Sequence, residues 1–191
     1  MHDLGSAVRC LNATVEAVPE GALELPTPCE AYTVGDLLDH IRRFPVALGS
    51  AARKEPGAAG GEADASQLVA DWRERIPADA ELLAEAWRAP QAWEGMTAVA
   101  GIEFPAEVIG QVALGELVLH SWDLARATGQ PAPSYDEQDL EAVLATATQF
   151  QAMGVPGVFD TPVAVPADAP LLDRALGAAG RDPGWAPSPA S

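Results

Sequence analysis

The 191-residue sequence predicts an all-α protein, a bundle of four main helices with a short hairpin or extended loop before the central helix and an extended C-terminal segment. Three observations predict it. Apolar residues recur at steps of three and four in several stretches, residues 111–129 are apolar nearly all the way round, and prolines and glycines punctuate the stretches between.

Taken in order, Leu4, Val8, Leu11, Val15 and Val18 form a narrow seam suited to bundle packing and predict a first helix over about residues 3–18. Pro19, Gly21, Pro26 and Pro28 then break regular structure. Thr33 and Asp36 make a helix-starting capping box, after which Leu37, His40 and Phe44 share one ridge of a second helix. Pro45 is expected to end or kink that helix near Phe44, with continuation from Val46 to Ala52 as the alternative. PGAAGGEAD, residues 56–64, has no apolar period and reads as an exposed loop. Leu68, Val69, Trp72 and Ile76, then Leu82, Leu83, Ala86 and Trp87, are two apolar stretches interrupted by Pro77, read as one kinked helix or two short ones.

Between Pro90 and Pro105 the period changes, and Met96, Ala98, Ala100 and Ile102 alternate, as in a short hairpin or extended loop. Pro105 and Gly129 suit the two ends of the central helix, a run of roughly 36 Å at 1.5 Å per residue. Residues 135–151 predict another helix, with Leu140, Val143, Leu144, Ala147 and Phe150 facing inward. Prolines 156, 162, 166 and 170 keep the chain extended before a short helix at about 171–178. Residues 1–182 are expected to form one domain and 183–191 a flexible tail, its APSPAS end disordered.

The central helix carries the chemistry. Ile109, Val112, Glu116, His120 and Asp123 line one ridge, so a carboxylate and an imidazole one turn apart aim at a common point, as two ligands of a divalent metal do. The same spacing also makes an ordinary helix ion pair. Burying Glu116 in so apolar a helix is costly without a partner. Of the other histidines, His2 sits at a terminus expected to fray, which leaves His40 as the candidate third ligand. Asp123 continues the ridge and is the candidate catalytic residue, as an acceptor orienting His120, a fourth ligand, or a base on metal-bound water. The alternative is a packing role, paired with Arg126 or Arg42. Arg126 is the candidate cofactor-binding cation, while Arg181 reads as a clamp on the C-terminal segment, and Trp122 reads as core.

Composition narrows the function classes. Asp and Glu number 28 against 11 Lys and Arg, a formal net charge of −17, and that field repels nucleic acid and anionic membrane surfaces. No apolar stretch has the length of a membrane span and MHDLGSAVRC does not read as a leader, so a cytoplasmic location is expected. Cys10 and Cys29 are too few for a disulfide framework or a cysteine metal site and read as reduced packing residues.

TPCEAYTVGDLLDHIRR and, much later, GELVLHSWDLARATGQ resemble the paired signature of an actinobacterial metal-binding family related to the DinB proteins and to the N-terminal domain of mycothiol-dependent maleylpyruvate isomerase. The similarity runs on through VFDTPVAVPADAPLLDRALGAAGRDPGW, with Tyr32 where a tryptophan is common and Ser121 where a glycine is common. The resemblance implies a DinB-like four-helix bundle, with His40, Glu116 and His120 as ligands of a divalent metal, zinc first and nickel, iron or manganese compatible. It also implies a thiol-dependent transferase or isomerase acting on a small electrophile, with mycothiol as thiol cosubstrate. A metal-dependent hydrolase using the same open site, or a non-catalytic metal-bearing binding module, monomeric or homodimeric, is the alternative. The chain is expected to be too short for the isomerase's additional C-terminal domain.

Overall fold

The computed structural model describes residues 2–55, 62–154 and 158–187. Its helices are α1 (Gly5–Glu16), α2 (Val34–Ala52), α3 (Trp72–Arg88), α4 (Ala106–Ala127), α5 (Glu137–Met153) and α6 (Leu171–Ala178). Between α3 and α4 stands an antiparallel hairpin of β1 (Met96–Val99) and β2 (Ile102–Pro105). The hairpin is the two-strand option of the sequence reading, with Val99 paired to Ile102 across a turn in which Ala100 and Gly101 both take positive φ.

Helices α1 to α4 form the bundle, in which α4 packs on α1, α2 and α5, and α2 packs on α3. Buried Leu4, Val8, Leu11 and Val15 are the seam of α1. The capping box starts α2 as the sequence predicts: Thr33 Oγ1 accepts from Asp36 N–H, and the Asp36 carboxylate accepts from Thr33 N–H. Asp36 also accepts from Ala65 N–H at 2.7 Å, tying the loop after α2 back to the helix start.

Both internal prolines sit inside continuous helices. Pro45 removes one helical hydrogen bond, a cost of about 3 kcal/mol, yet buried Phe44, Leu48, Ala51 and Ala52 on either side keep α2 helical to Ala52. Pro77 lies in the second turn of α3, a single helix that starts at Trp72 and leaves Leu68 and Val69 in the turn before it. Of the predicted loop 56–64, residues 56–61 lie outside the described residues.

The hairpin is held by tryptophans and by α2. Trp93 Nε1–H donates to Trp87 O at 2.7 Å, Trp87 Nε1–H to Leu48 O at 3.2 Å, and Thr97 Oγ1 to Ala51 O at 2.6 Å. Gly110 lets α4 pass Trp93, since a Cβ there would stand 2.5 Å from the indole. Buried almost all round, α4 ends at Thr128 with Gly129 beyond it at φ +70°. Among the described residues no helix is long and apolar enough to cross a membrane.

From Val158 the chain runs extended, Pro156 lying outside the described residues, and it returns through α6, which packs on α5, with Val163 N–H donating to Gly177 O at 2.9 Å. This return lays Phe159, Asp160 and Arg181 over the middle of α4. Trp185, within the expected tail, packs half-buried against the core.

Candidate metal centre

Glu116 and His120 lie one turn apart in the middle of α4, and α2 brings His40 to meet them. His40 Nε2 is 2.8 Å from Glu116 Oε2, and His120 Nε2 is 3.1 Å from the same oxygen. The two imidazole rings stand edge to face with centroids 4.8 Å apart. One ligand atom from each residue lies within 4.8 Å of the others. A tetrahedral ion about 2.0–2.2 Å from its donors spaces them roughly 3.3 Å apart, so two nitrogens and a carboxylate oxygen at these separations fit a divalent ion. His2 is elsewhere, its ring 6.4 Å from that of Trp93.

The surroundings orient the donors. Asp123, fully buried, places Oδ2 3.0 Å from His120 Nδ1, which assigns the proton of neutral His120 to Nδ1 and turns the Nε2 lone pair toward Glu116. Burial alone would lower the His120 pKa, but Glu116 and then Asp123 outweigh it and push it up to about 9. Burial likewise opposes ionisation of Glu116, and the two histidines, His120 first, hold its carboxyl well below the usual carboxylate range.

Arg181 engages both oxygens of Asp123, Nη2 to Oδ2 at 3.2 Å and Nε to Oδ1 at 3.4 Å. Its Nη1 donates to Asp160 Oδ2 at 3.0 Å and to Ala179 O at 3.1 Å. Asp123 thus pairs with Arg181, not with Arg126 or Arg42; Arg42 instead bonds Asp39 at 2.8 Å.

The donors open into a cleft of about 280 Å³ lined also by Val112, Leu119, Phe159, Cys29, Tyr32 and Arg181. Burial pushes the Cys29 thiol up to about 11 against the pull of Arg181, so it is a neutral thiol at physiological pH. Burial, followed by Cys29 and Glu116, raises the Tyr32 phenol, which stays an O–H donor.

The two arginines exchange the places expected of them. Arg126 does not line the cleft: its Nη2 donates to Trp185 O, and its guanidinium lies 6.0 Å from the centre of the Trp122 ring. The reason is topological, because Arg126 on the last turn of α4 faces the returning C-terminal segment, whereas Arg181 enters on that segment. Arg126 is the clamp; Arg181 is the cation at the cleft. Trp122 is core. Ser121 donates to Val118 O at 3.0 Å and meets the Tyr135 hydroxyl at 2.8 Å, a packing contact behind the site. Sequence reasoning missed Phe159 and Asp160 as cleft residues, since nothing in VFDTPVAV signals a return to α4.

A family model for the mycothiol maleylpyruvate isomerase N-terminal domain matches residues 4–125. Two uncharacterised proteins, from two strains of Mycobacterium tuberculosis, are each 31% identical over 166 residues, covering 82% of this chain and 83% of theirs. The crystal structure of the mycothiol-dependent maleylpyruvate isomerase superposes with a TM-score of 0.63 at 20% identity, covering 79% of this chain and 69% of that one. A histidine-to-alanine mutant of that isomerase gives 0.63 at 19%. At such identity the likeness establishes the shared fold.

Proposed function

Because the chain belongs to the mycothiol maleylpyruvate isomerase N-terminal domain family, we propose that it holds one divalent transition metal, zinc first, on His40 Nε2, Glu116 Oε2 and His120 Nε2. We propose further that it serves a thiol-dependent transferase or isomerase reaction on a small electrophile, with mycothiol as the thiol. The observation that carries this reading is the meeting of two imidazole nitrogens and one carboxylate oxygen in a cleft lined by apolar Val112, Leu119 and Phe159 and by polar Tyr32, Asp160 and Arg181. Bound there, the ion would lower the pKa of a coordinated thiol and favour the thiolate as nucleophile.

The chain's own residues do the rest. Two neutral imidazoles and one carboxylate leave a divalent ion one net positive charge for an anionic sulfur. Asp123 acts as a positioning residue: buried and engaged at both oxygens by His120 and Arg181, it holds the His120 ring and has no free oxygen to act as base in the cleft. Tyr32 O–H offers a hydrogen bond to a substrate oxygen, and Leu119 and Phe159 keep water from the reacting sulfur. Cys29 lines the same cleft, its thiol pushed up to about 11 by burial in the metal-free protein.

The test is elemental analysis of the purified protein followed by cobalt substitution and titration with mycothiol. Ligation by sulfur is expected to add a charge-transfer band and change the d–d spectrum. A spectrum that ignores the thiol but responds to small water-displacing anions would replace this reading with a metal-dependent hydrolase.

A further inference from the structure

Apart from the two histidines of the metal centre, Arg181 is the one basic side chain among the described residues that line the cleft. Four of the five N–H groups of its guanidinium are already engaged, by both oxygens of Asp123, by Asp160 Oδ2 and by Ala179 O. Glu116, Asp160 and, behind His120, Asp123 are three carboxylates against that one guanidinium. Acids still exceed cations by one when a divalent ion and a thiolate are counted with them. The cavity that adjoins the cleft at Cys29, Ala31 and Asp160 adds Glu30 and Asp182 and, among its described walls, no basic side chain.

Asp160 is fixed where the two cavities meet. Gln151 Nε2 donates to its carbonyl at 2.7 Å, and Gly180, at φ +86°, passes so close that a Cβ there would stand 2.5 Å from Asp160 Cβ. The Asp160 side chain is 66% exposed, whereas Arg181, its partner at 3.0 Å, is only 6% exposed. A carboxylate approaching the guanidinium from solvent therefore meets the Asp160 anion first. Like charges set against each other are a means by which a site rejects a ligand of the right shape. An uncharged molecule escapes that repulsion and finds Val112, Leu119 and Phe159 along the same cleft, with Phe159 edge to face against Phe150 at 5.7 Å.

We propose that Asp160 is a specificity-determining residue that bars carboxylate-bearing electrophiles, so that the substrate of this cleft is an uncharged, largely apolar electrophile with an acceptor oxygen, such as an unsaturated ketone. Addition of a thiol to such a ketone forms the C–S bond at the β-carbon and moves the C=C electron pair toward the carbonyl oxygen, to which Tyr32 O–H can donate. The thiol proton ends on the α-carbon. The inference rests on the thiol reading above for the reaction, and on the charges of the chain alone for the preference.

The test begins with metal-free full-length protein, in which no ion can ligate a probe, and two unreactive probes of one shape, benzoylpropionate and its uncharged methyl-ketone isostere, titrated by ligand-observed NMR. The ketone is expected to bind at least about tenfold more tightly. Asp160→Asn should close most of that gap by strengthening benzoylpropionate alone, and Asp160→Glu should keep it. Glu141→Gln removes the same charge from an exposed position outside both cavities and should leave the gap as it is. Equal binding of the two probes by the wild type, tighter binding of the acid, or a gap that Glu141→Gln closes as far as Asp160→Asn does overturns the assignment. So does an Asp160→Glu protein that behaves as Asp160→Asn. Metal-loaded protein with mycothiol then compares benzoylacrylate with its methyl-ketone isostere, and Asp160→Asn should raise the ratio of kcat/KM for acid over ketone by about tenfold. The two readings fail separately: no turnover of either electrophile with the binding gap intact removes the thiol reading alone, and turnover that favours the acid removes the Asp160 assignment alone.

Discussion

Asp123→Asn tests the idea that a buried carboxylate behind His120 orients the metal site. Asp123 has no exposed side-chain surface and its partner Arg181 only 6%, so screening by solvent is slight. Asparagine keeps the shape and one acceptor oxygen but not the charge. Breaking a buried ion pair by removing one partner costs about 3–5 kcal/mol; Arg181 retains Asp160 and Ala179 O, which puts the expectation near about 3 kcal/mol. For a chain of this length each kcal/mol moves Tm by about 2–4 °C, so the shift is roughly 6–12 °C downward by calorimetry. Loss of an orienting partner behind a ligating histidine typically weakens metal affinity about 10–100-fold, or about 1.4–2.7 kcal/mol, read by competition with a chromogenic chelator. Asp160→Asn is the control: its carboxylate is 66% exposed, and its loss should cost about 0–1 kcal/mol. An Asp123→Asn protein that melts lower yet binds metal with wild-type affinity would refute the positioning role and leave Asp123 as packing alone.

Other expectations follow from the same geometry. His120→Ala should abolish metal retention while circular dichroism stays largely helical, because the apolar seams do not depend on it; Glu116→Gln should weaken metal binding less, since an amide oxygen still ligates without charge, and equal metal content in all three proteins would remove the site. Without metal, His120 has its pKa raised from 6.5 to about 9, so the stability its charge contributes is fully present below pH 6.5 and is lost as pH rises through about 9. Metal requires the neutral ring, so affinity should rise with pH and level off above about 9, and loading near pH 7.5 should release about one proton, measured as calorimetric heats in buffers of different ionisation enthalpy. Gly110→Ala places a methyl 2.5 Å from the Trp93 ring and should cost about 1–3 kcal/mol, seen as a lower denaturant midpoint, with a wild-type midpoint refuting the close approach of α4 to the hairpin.

What was legible in the sequence was local. The Thr33 and Asp36 capping box needs residues three apart, and the ridge holding Glu116, His120 and Asp123 follows from 3.6 residues per turn. The hairpin between Met96 and Pro105 showed in an alternating period, and the central helix in an apolar run bounded by Pro105 and Gly129. The meeting of His40 with Glu116, 76 residues away, was anticipated from the scarcity of histidines and from family resemblance, because no local rule sets the crossing of α2 over α4. Only the tertiary structure decided how two prolines are carried. Neither Pro45 nor Pro77 ends its helix, since burial of the flanking apolar residues outweighs one missing hydrogen bond. It also decided which arginine serves the site. On the helix Arg126 is one turn from Trp122 and three residues from Asp123, yet Arg181, 58 residues distant from Asp123, takes the carboxylate, because the segment after α6 folds back over the middle of α4 and a buried charge is stabilised by whichever opposite charge the fold delivers to it.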